Sequence, residues 1–302
     1  DVNKIKVYLD NENHLHIEVE DKLYKATLYE VPILATVAEL RNRMLGNKAL
    51  DSDVESRLAK KIKLSNLEHL KFSEFGTRRR FSYNVQDHIC KQLKNDSVYC
   101  VGTSNVHFAM KYDMLPLGTM AHEFIMFHGS VFGFKQANYL MMEAWVNTFD
   151  GALGIALTDT YTSDVFFNNF SKKHAKLFDG VRQDSGDEYE FTNKAISRYK
   201  EHGIDPMTKT IVFSNALDFP KAVKIKNFCE GRINASFGIG TNLTCYIEGV
   251  KPANIVMKLS KCRMNHNQTW ENCLKISDDK GKVMGDEDEK MIFNLTFKQN
   301  IK

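Results

Sequence analysis

Apolar and polar positions alternate along this chain in two rhythms. In the first, one residue in two is apolar: Lys4-Ile5-Lys6-Val7-Tyr8-Leu9, a polar turn at Asp10-Asn11-Glu12-Asn13, then His14-Leu15-His16-Ile17-Glu18-Val19. That period predicts a small antiparallel meander, with residues 24–31 as a third strand stopped by Pro32. His14 and His16 fall on an exposed face of it and read as surface residues. Over residues 33–44 the spacing becomes helical, and residues 51–63 predict a second, highly charged helix opened by an Asp/Ser cap.

From residue 72 the second rhythm begins. Short apolar runs at 72–75, 98–101, 114–117, 153–157, 178–181, 210–213 and 235–237 each run into a polar motif, and a run at 255–259 closes the series. Helical stretches such as 124–149 and 190–202 lie between them. Strands alternating with helices predict parallel βα units. Polar motifs at the carboxyl ends of so many strands favour a barrel that collects them on one face. A doubly wound open sheet, the alternative, would concentrate them at one or two switch points. The expected fold is therefore α/β. The segment after residue 260 is mixed, with a turn at 277–282 and an acidic Gly285-Asp286-Glu287-Asp288-Glu289, and is expected to pack back against the first sixty residues.

Composition adds little and excludes more. A chain of 302 residues with 43% hydrophobic and 26% charged residues suits a globular enzyme with a sizeable core. A net charge of +3 gives no argument for nucleic acid or membrane. The six cysteines form no CxxC pair and read as reduced, packed thiols of a cytosolic protein. The sequence begins with Asp1 rather than Met, so a preceding segment is expected in the whole protein.

Candidate chemistry sits in the strand-end motifs. Gly118-Thr119-Met120-Ala121-His122-Glu123 places His122 at the opening of a helix, near its positive end. Phe237-Gly238-Ile239-Gly240-Thr241-Asn242 lets backbone N–H groups approach an anion, and a late barrel strand is where such barrels hold phosphate. The run Arg78-Arg79-Arg80 offers bidentate donors to phosphate or carboxylate, with Phe75 placed to stack on a flat ring. Arg182-Gln183-Asp184-Ser185-Gly186-Asp187 joins an arginine to two carboxylates, a set suited to a diphosphate and to a ribose or Mg2+. Asp159 and Asp218, at other strand ends, could add hydroxyl or metal contacts. Residue chemistry alone thus points to a barrel enzyme handling a phosphorylated sugar.

Seven motifs in order, Phe75 to Arg80, Gly102-Thr103-Ser104-Asn105, Gly118 to Glu123, Leu157 to Thr160, Val181 to Asp187, Ser214 to Asp218 and Phe237 to Asn242, closely resemble the nicotinate phosphoribosyltransferase family. The resemblance implies an irregular, incomplete α/β barrel (residues 65–260) with a smaller α/β lobe built from the chain ends (1–64 and 261–302). It implies transfer of the phosphoribosyl group of 5-phosphoribosyl 1-diphosphate to nicotinate, giving nicotinate mononucleotide and diphosphate in NAD salvage. ATP would be a co-substrate, Mg2+ a cofactor, His122 the phosphorylated histidine, and Asp184 a second catalytic group. Phe75, Thr77 and Arg78 would bind nicotinate. Arg79, Ser104, Arg182, Ser214, Asn215, Gly238, Gly240, Thr241 and Asn242 would bind the sugar diphosphate. A cytoplasmic homodimer with shared active sites is implied. The family's amino-terminal segment, with an Asp-Tyr-containing motif whose tyrosine covers the pyridine ring, has no counterpart in this sequence. The alternatives are nicotinamide phosphoribosyltransferase, disfavoured by the arginine-rich turn, or a truncated remnant that only binds phosphoribosyl ligands or dimerises.

Overall fold

The computed structural model describes residues 1–279 and 281–299. Lys280, within the turn expected at 277–282, and residues 300–302 of the carboxyl-terminal segment lie outside them. Strands β1 (Ile5–Leu9) and β2 (Leu15–Val19) form the expected hairpin, Ile5 opposite Val19. The predicted third strand is helical instead. Helix α1 (Leu23–Ala26) and a 3-10 turn at Thr27–Tyr29 lead into α2 (Glu30–Met44). Pro32 lies in the first turn of α2, where its missing N–H leaves no intrahelical bond unmade, so it does not act as a stop. Helix α3 (Asp51–Leu67) begins after Leu50 with no side-chain cap. Asp51 and Asp53 lie in its first turn and favour the helix through its dipole rather than as the expected cap.

The rhythm from residue 72 onward gives β3 (Phe72–Glu74), α4 (Tyr83–Asp96), β4 (Cys100–Thr103), α5 (Val106–Tyr112), β5 (Leu115–Pro116), α6 (His122–Phe132) and α7 (Phe134–Phe149). It continues with β6 (Ile155–Leu157), α8 (Ser163–Asn169), α9 (Lys172–Leu177), β7 (Gly180–Gln183), α10 (Glu188–Glu201), β8 (Thr210–Phe213), α11 (Phe219–Cys229), β9 (Asn234–Ile239) and α12 (Thr241–Thr244). The single helix expected over 124–149 is broken at Gly133, whose φ of +87° suits glycine and separates α6 from α7. The apolar run at 255–259 is not a strand and joins no ladder among the described residues.

All strand pairs in the main sheet are parallel, in the order β5-β4-β3-β9-β8-β7-β6. Strands consecutive in sequence are therefore neighbours, and the last, β9, pairs with the first, β3. That is barrel order with one missing seam, between β5 and β6. The two edges nevertheless converge at their carboxyl ends. His122, after β5, reaches Thr160, after β6, at 2.9 Å, and Thr119 meets Arg182 of β7 at 2.7 Å. A curled sheet with its edges nearly closed is the expected incomplete barrel, and no switch point of a doubly wound sheet exists in it.

Strands β10 (Lys261–Cys262) and β11 (Glu271–Asn272) make a short hairpin, and β12 (Leu274–Lys275) pairs with β13 (Met284–Gly285) before α13 (Glu287–Phe297). Ile276 donates its N–H to the Thr160 carbonyl at 2.8 Å, so this segment lies across the open seam. Phe293 of α13 packs on Phe134 of α7 with ring centroids 5.5 Å apart. Phe72, Phe178, Phe213, Phe219 and Phe237 are wholly buried in the same apolar core. Each such ring contributes about 1.5–3 kcal/mol by leaving water, and together they fix the strand ends that carry the polar turns.

Candidate active site

The strand-end turns open into one cleft of about 750 Å³. Arg182 projects from β7 into it and is held at three points. It donates to Ser214 Oγ at 2.8 Å, Thr119 Oγ1 at 2.7 Å and Asp184 Oδ1 at 2.6 Å. Ser214 also donates to Asp184 Oδ1 at 2.5 Å. Four side chains from three strand ends are thereby locked together. Burial works against the Asp184 charge, but Arg182, with His122 and Ser214, outweighs it and holds the carboxyl well below the usual range.

His122 is the first residue of α6, with Nδ1 2.9 Å from Thr160 Oγ1 and Nε2 3.3 Å from Asp184 Oδ2. Burial pushes its imidazole down to about 4, against the pull of Asp159 and Asp184. The pair at neutral pH is therefore a neutral imidazole facing a carboxylate. Asp159 lies beneath, receiving Ser185 Oγ at 2.6 Å on one oxygen while the other is buried with no hydrogen-bond partner. Burial raises its carboxyl above the ordinary range. Ligand atoms of His122, Asp159 and Asp184 all lie within 4.8 Å of one another.

The cleft is also lined by the turn after β9, the strand next to β8 in the sheet. A Cβ on Gly238 would meet the Phe75 ring at 2.7 Å, and one on Gly240 would meet the Phe75 carbonyl at 2.9 Å. The glycines are thus needed so that Phe75 can lie against their backbone, in addition to any anion the turn takes. Arg78 and Arg79 both line the cleft, while Arg80 turns away to Gln86 at 3.2 Å and Glu39 at 3.6 Å. Arg79 is tied to the Ile255 carbonyl at 3.1 Å, and Arg78 contacts Glu30 at 3.2 Å.

Of the residues expected from sequence, Phe75, Arg78, Arg79, His122, Arg182, Asp184, Ser214, Asn215, Gly238, Gly240, Thr241 and Asn242 line this one cleft, as does Asp218. Thr77 and Ser104 do not. Thr77 is buried under the arginine turn, its hydroxyl accepting from Gln86 at 2.7 Å and Asn105 at 3.1 Å. The N–H of Ser104 is bound to the Glu74 carbonyl at 2.8 Å, which keeps that residue with the β3–β4 ladder. Glu74, buried and raised by burial, accepts from Gly76 N–H at 2.5 Å and Gln86 at 3.1 Å and so fixes the start of the arginine turn.

Sequence reasoning missed the cations that arrive from the chain's last third: Lys258, Lys275 and Lys282 line the cleft. Lys258 bridges Glu123 at 2.9 Å and Glu30 at 3.5 Å. Lys275, on β12, is lowered by burial and faces the Asp159 and Asp184 charges. No glycine-bearing turn marks either lysine, and the 277–282 turn has the composition of an ordinary surface turn.

Cations and carboxylates gathered at the carboxyl ends of a parallel sheet place the molecule among α/β enzymes that grip anionic ligands there. Residues 70–301 match the model of the nicotinate phosphoribosyltransferase (NAPRTase) family. A nicotinate phosphoribosyltransferase of Desulforapulum autotrophicum is 45% identical over 279 residues, 92% of this chain and 72% of that protein. The Chromohalobacter salexigens protein of the same name is 47% identical over 274 residues, covering 90% and 70%. Among solved structures, nicotinate phosphoribosyltransferase from Porphyromonas gingivalis superposes with a TM-score of 0.97 at 46% identity, covering 99% of this chain and 77% of the other. The Vibrio cholerae structure superposes at 0.88 and 31%, covering 99% and 74%. The chain belongs to the nicotinate phosphoribosyltransferase family.

Proposed function

We propose that the chain carries out the ATP-assisted transfer of a phosphoribosyl group from 5-phosphoribosyl 1-diphosphate to nicotinate, releasing nicotinate mononucleotide and diphosphate in NAD salvage. One observation carries the reading: the Arg182–Asp184 pair and the Gly238–Asn242 turn open into a single cleft, with Ser214 at the end of the strand between them. A ribose bearing phosphate at one end and diphosphate at the other needs that arrangement. Ser214, Asn215, Gly240 and Thr241 take the 5-phosphate, Arg182 the diphosphate, and Phe75 stacks on the pyridine. Arg78, with Arg79 beside it, neutralises the nicotinate carboxylate, which favours nicotinate over the neutral nicotinamide.

In the transfer, the ring nitrogen of nicotinate attacks the anomeric carbon as the bond to diphosphate breaks. The protein acts by alignment and by charge on the departing oxygens. Mg2+ fits the donors present: Asp159 has an unpaired buried carboxylate oxygen and Asp184 lines the cleft. Those two would hold the ion, which supplies positive charge against the diphosphate when bound. His122 is the phosphorylated group. Its neutral ring keeps a lone pair for the γ-phosphorus of ATP, ADP leaves, and water later releases phosphate. Asp184 stabilises the positive charge that appears on the ring as it attacks.

Of the described residues, 1–64 and those from 261 to 299 belong with a smaller lobe set against the barrel of residues 65–260, and the working form is a cytoplasmic homodimer with shared sites. No helix among the described residues is long and apolar enough to cross a membrane. Incubation with 5-phosphoribosyl 1-diphosphate and nicotinate or nicotinamide, with and without ATP, tests the assignment. The expected result is nicotinate mononucleotide formed faster with ATP; preferential turnover of nicotinamide would overturn it.

A further inference from the structure

Behind the glycine turn lies a cation that the cleft itself does not contain. Lys61, on α3, points into the underside of the β9–α12 turn and donates to the Asn242 carbonyl. Its ammonium lies 4.1 Å from the centroid of the Tyr246 ring, and the Arg57 guanidinium lies 5.2 Å from the same centroid. Asn242 and Tyr246 both line the cleft, so Lys61 touches two pieces of its wall from outside.

The two cations differ in one respect. Arg57 is neutralised by Asp53 at 2.6 Å and Glu248 at 2.5 Å. Lys61 forms no ion pair with any described residue, although it is partly buried. The acid that acts on it most is Asp218, across the turn, whose Oδ1 is already engaged by the Lys221 N–H at 2.7 Å. Burial, helped by the Arg57 charge, brings the Lys61 ammonium down to about 7, with Asp218 opposing. The groups facing it are thus Arg57 with Asp53 on α3, Tyr246 and Glu248 after α12, and Asp218 before α11. The turn itself is loosely fastened from within, since Asn242 Oδ1 is buried with no hydrogen-bond partner.

A half-hidden ammonium without a counter-ion is costly unless an anion comes near. We propose that Lys61 is a positioning residue for the phosphate end of the cleft, holding the Asn242 carbonyl away from the ligand and setting a positive charge behind Gly240 and Thr241. Seating a phosphate monoester on that turn then binds a proton as well, taken up from solvent by Lys61. This rests on the reading that the turn receives the ribose 5-phosphate group. Lys61 touches no substrate atom; it acts through the turn.

Calorimetric titration with ribose 5-phosphate, at about pH 7.5 so that the ligand (second pKa about 6) has almost no proton of its own to release, in two buffers of different ionisation enthalpy, tests this on the intact protein. The wild type should bind with net proton uptake. Lys61→Arg, which keeps the charge but does not titrate there, should bind without uptake. Lys61→Met should bind about tenfold more weakly, as expected for losing a charge-assisted contact, again without uptake. In turnover, Lys61→Met should raise KM for 5-phosphoribosyl 1-diphosphate about tenfold while KM for nicotinate moves less than about twofold. Circular dichroism confirms that both variants fold, and the arginine variant alone decides the proton count if the methionine variant does not. Equal affinity in wild type and Lys61→Met, or equal proton uptake in wild type and Lys61→Arg, overturns the role of Lys61 while leaving the turn as the phosphate site. Failure of the wild type to bind ribose 5-phosphate would instead remove the phosphate assignment of the turn, and this role with it.

Discussion

His122 is kept neutral by its surroundings, and that sets a testable pH dependence. Its imidazole is depressed from the ordinary 6.5 to about 4, so it loses no lone pair to protonation as pH falls from about 7 to about 5. Labelling of the histidine from γ-labelled ATP should therefore persist at about pH 5, where an ordinary imidazole would be almost fully protonated; loss of labelling with a midpoint near 6.5 would contradict the burial argument. His122→Ala should abolish ATP stimulation and leave slow ATP-independent synthesis, read as ADP released per nicotinate mononucleotide formed. Asp184→Asn removes the partner of both Arg182 and His122 and should lower kcat about a hundredfold or more, the usual loss for a preorganised electrostatic contact. At this scale the sequence was informative about residue type and much less about aim. It could not separate Arg80, which turns to Glu39, from Arg78 and Arg79, which enter the cleft. Nor could it show that the Thr77 hydroxyl is already engaged by Gln86 and Asn105, because hydrogen bonds between distant residues leave no local pattern.

Among the elements, the βα rhythm was legible because each short apolar strand ends in a polar turn, and the structure keeps those turns at the strands' carboxyl ends. Two misreadings share a cause: short apolar runs do not declare their partners. Residues 24–31 alternate like a strand but continue into α2, with Pro32 tolerated in its first turn. Residues 255–259 are apolar enough for a strand yet find no ladder among the described residues. The glycine turn after β9 makes a sharper prediction. Gly238→Ala would drive a methyl to 2.7 Å from the Phe75 ring, which must move. Overpacking of that kind costs about 1–3 kcal/mol, so a melting temperature lowered by several degrees is expected. KM for nicotinate should rise more than KM for 5-phosphoribosyl 1-diphosphate, because the stacking ring is displaced; equal rises would argue against Phe75 as the pyridine platform.

For the whole molecule, the decisive feature is closure. The strand order runs round the ring except between β5 and β6, and at that seam His122, Thr160 and the β12 segment meet. Titratable side chains are gathered where the ring fails to close, and Lys275 and Lys282 reach the cleft from the chain's last third. That is why they escaped sequence reasoning: their place in the cleft depends on the return of the chain that sets Ile276 on Thr160, which no spacing encodes. If the Arg182 turn and the Gly240 turn grip opposite ends of one ligand, a bound sugar diphosphate must touch both. A crystal structure with 5-phosphoribosyl 1-diphosphate bound tests it most directly. The account predicts the 5-phosphate on Ser214, Asn215, Gly240 and Thr241 and the diphosphate against Arg182; a ligand bound elsewhere, or with neither turn in contact with its phosphates, would contradict it.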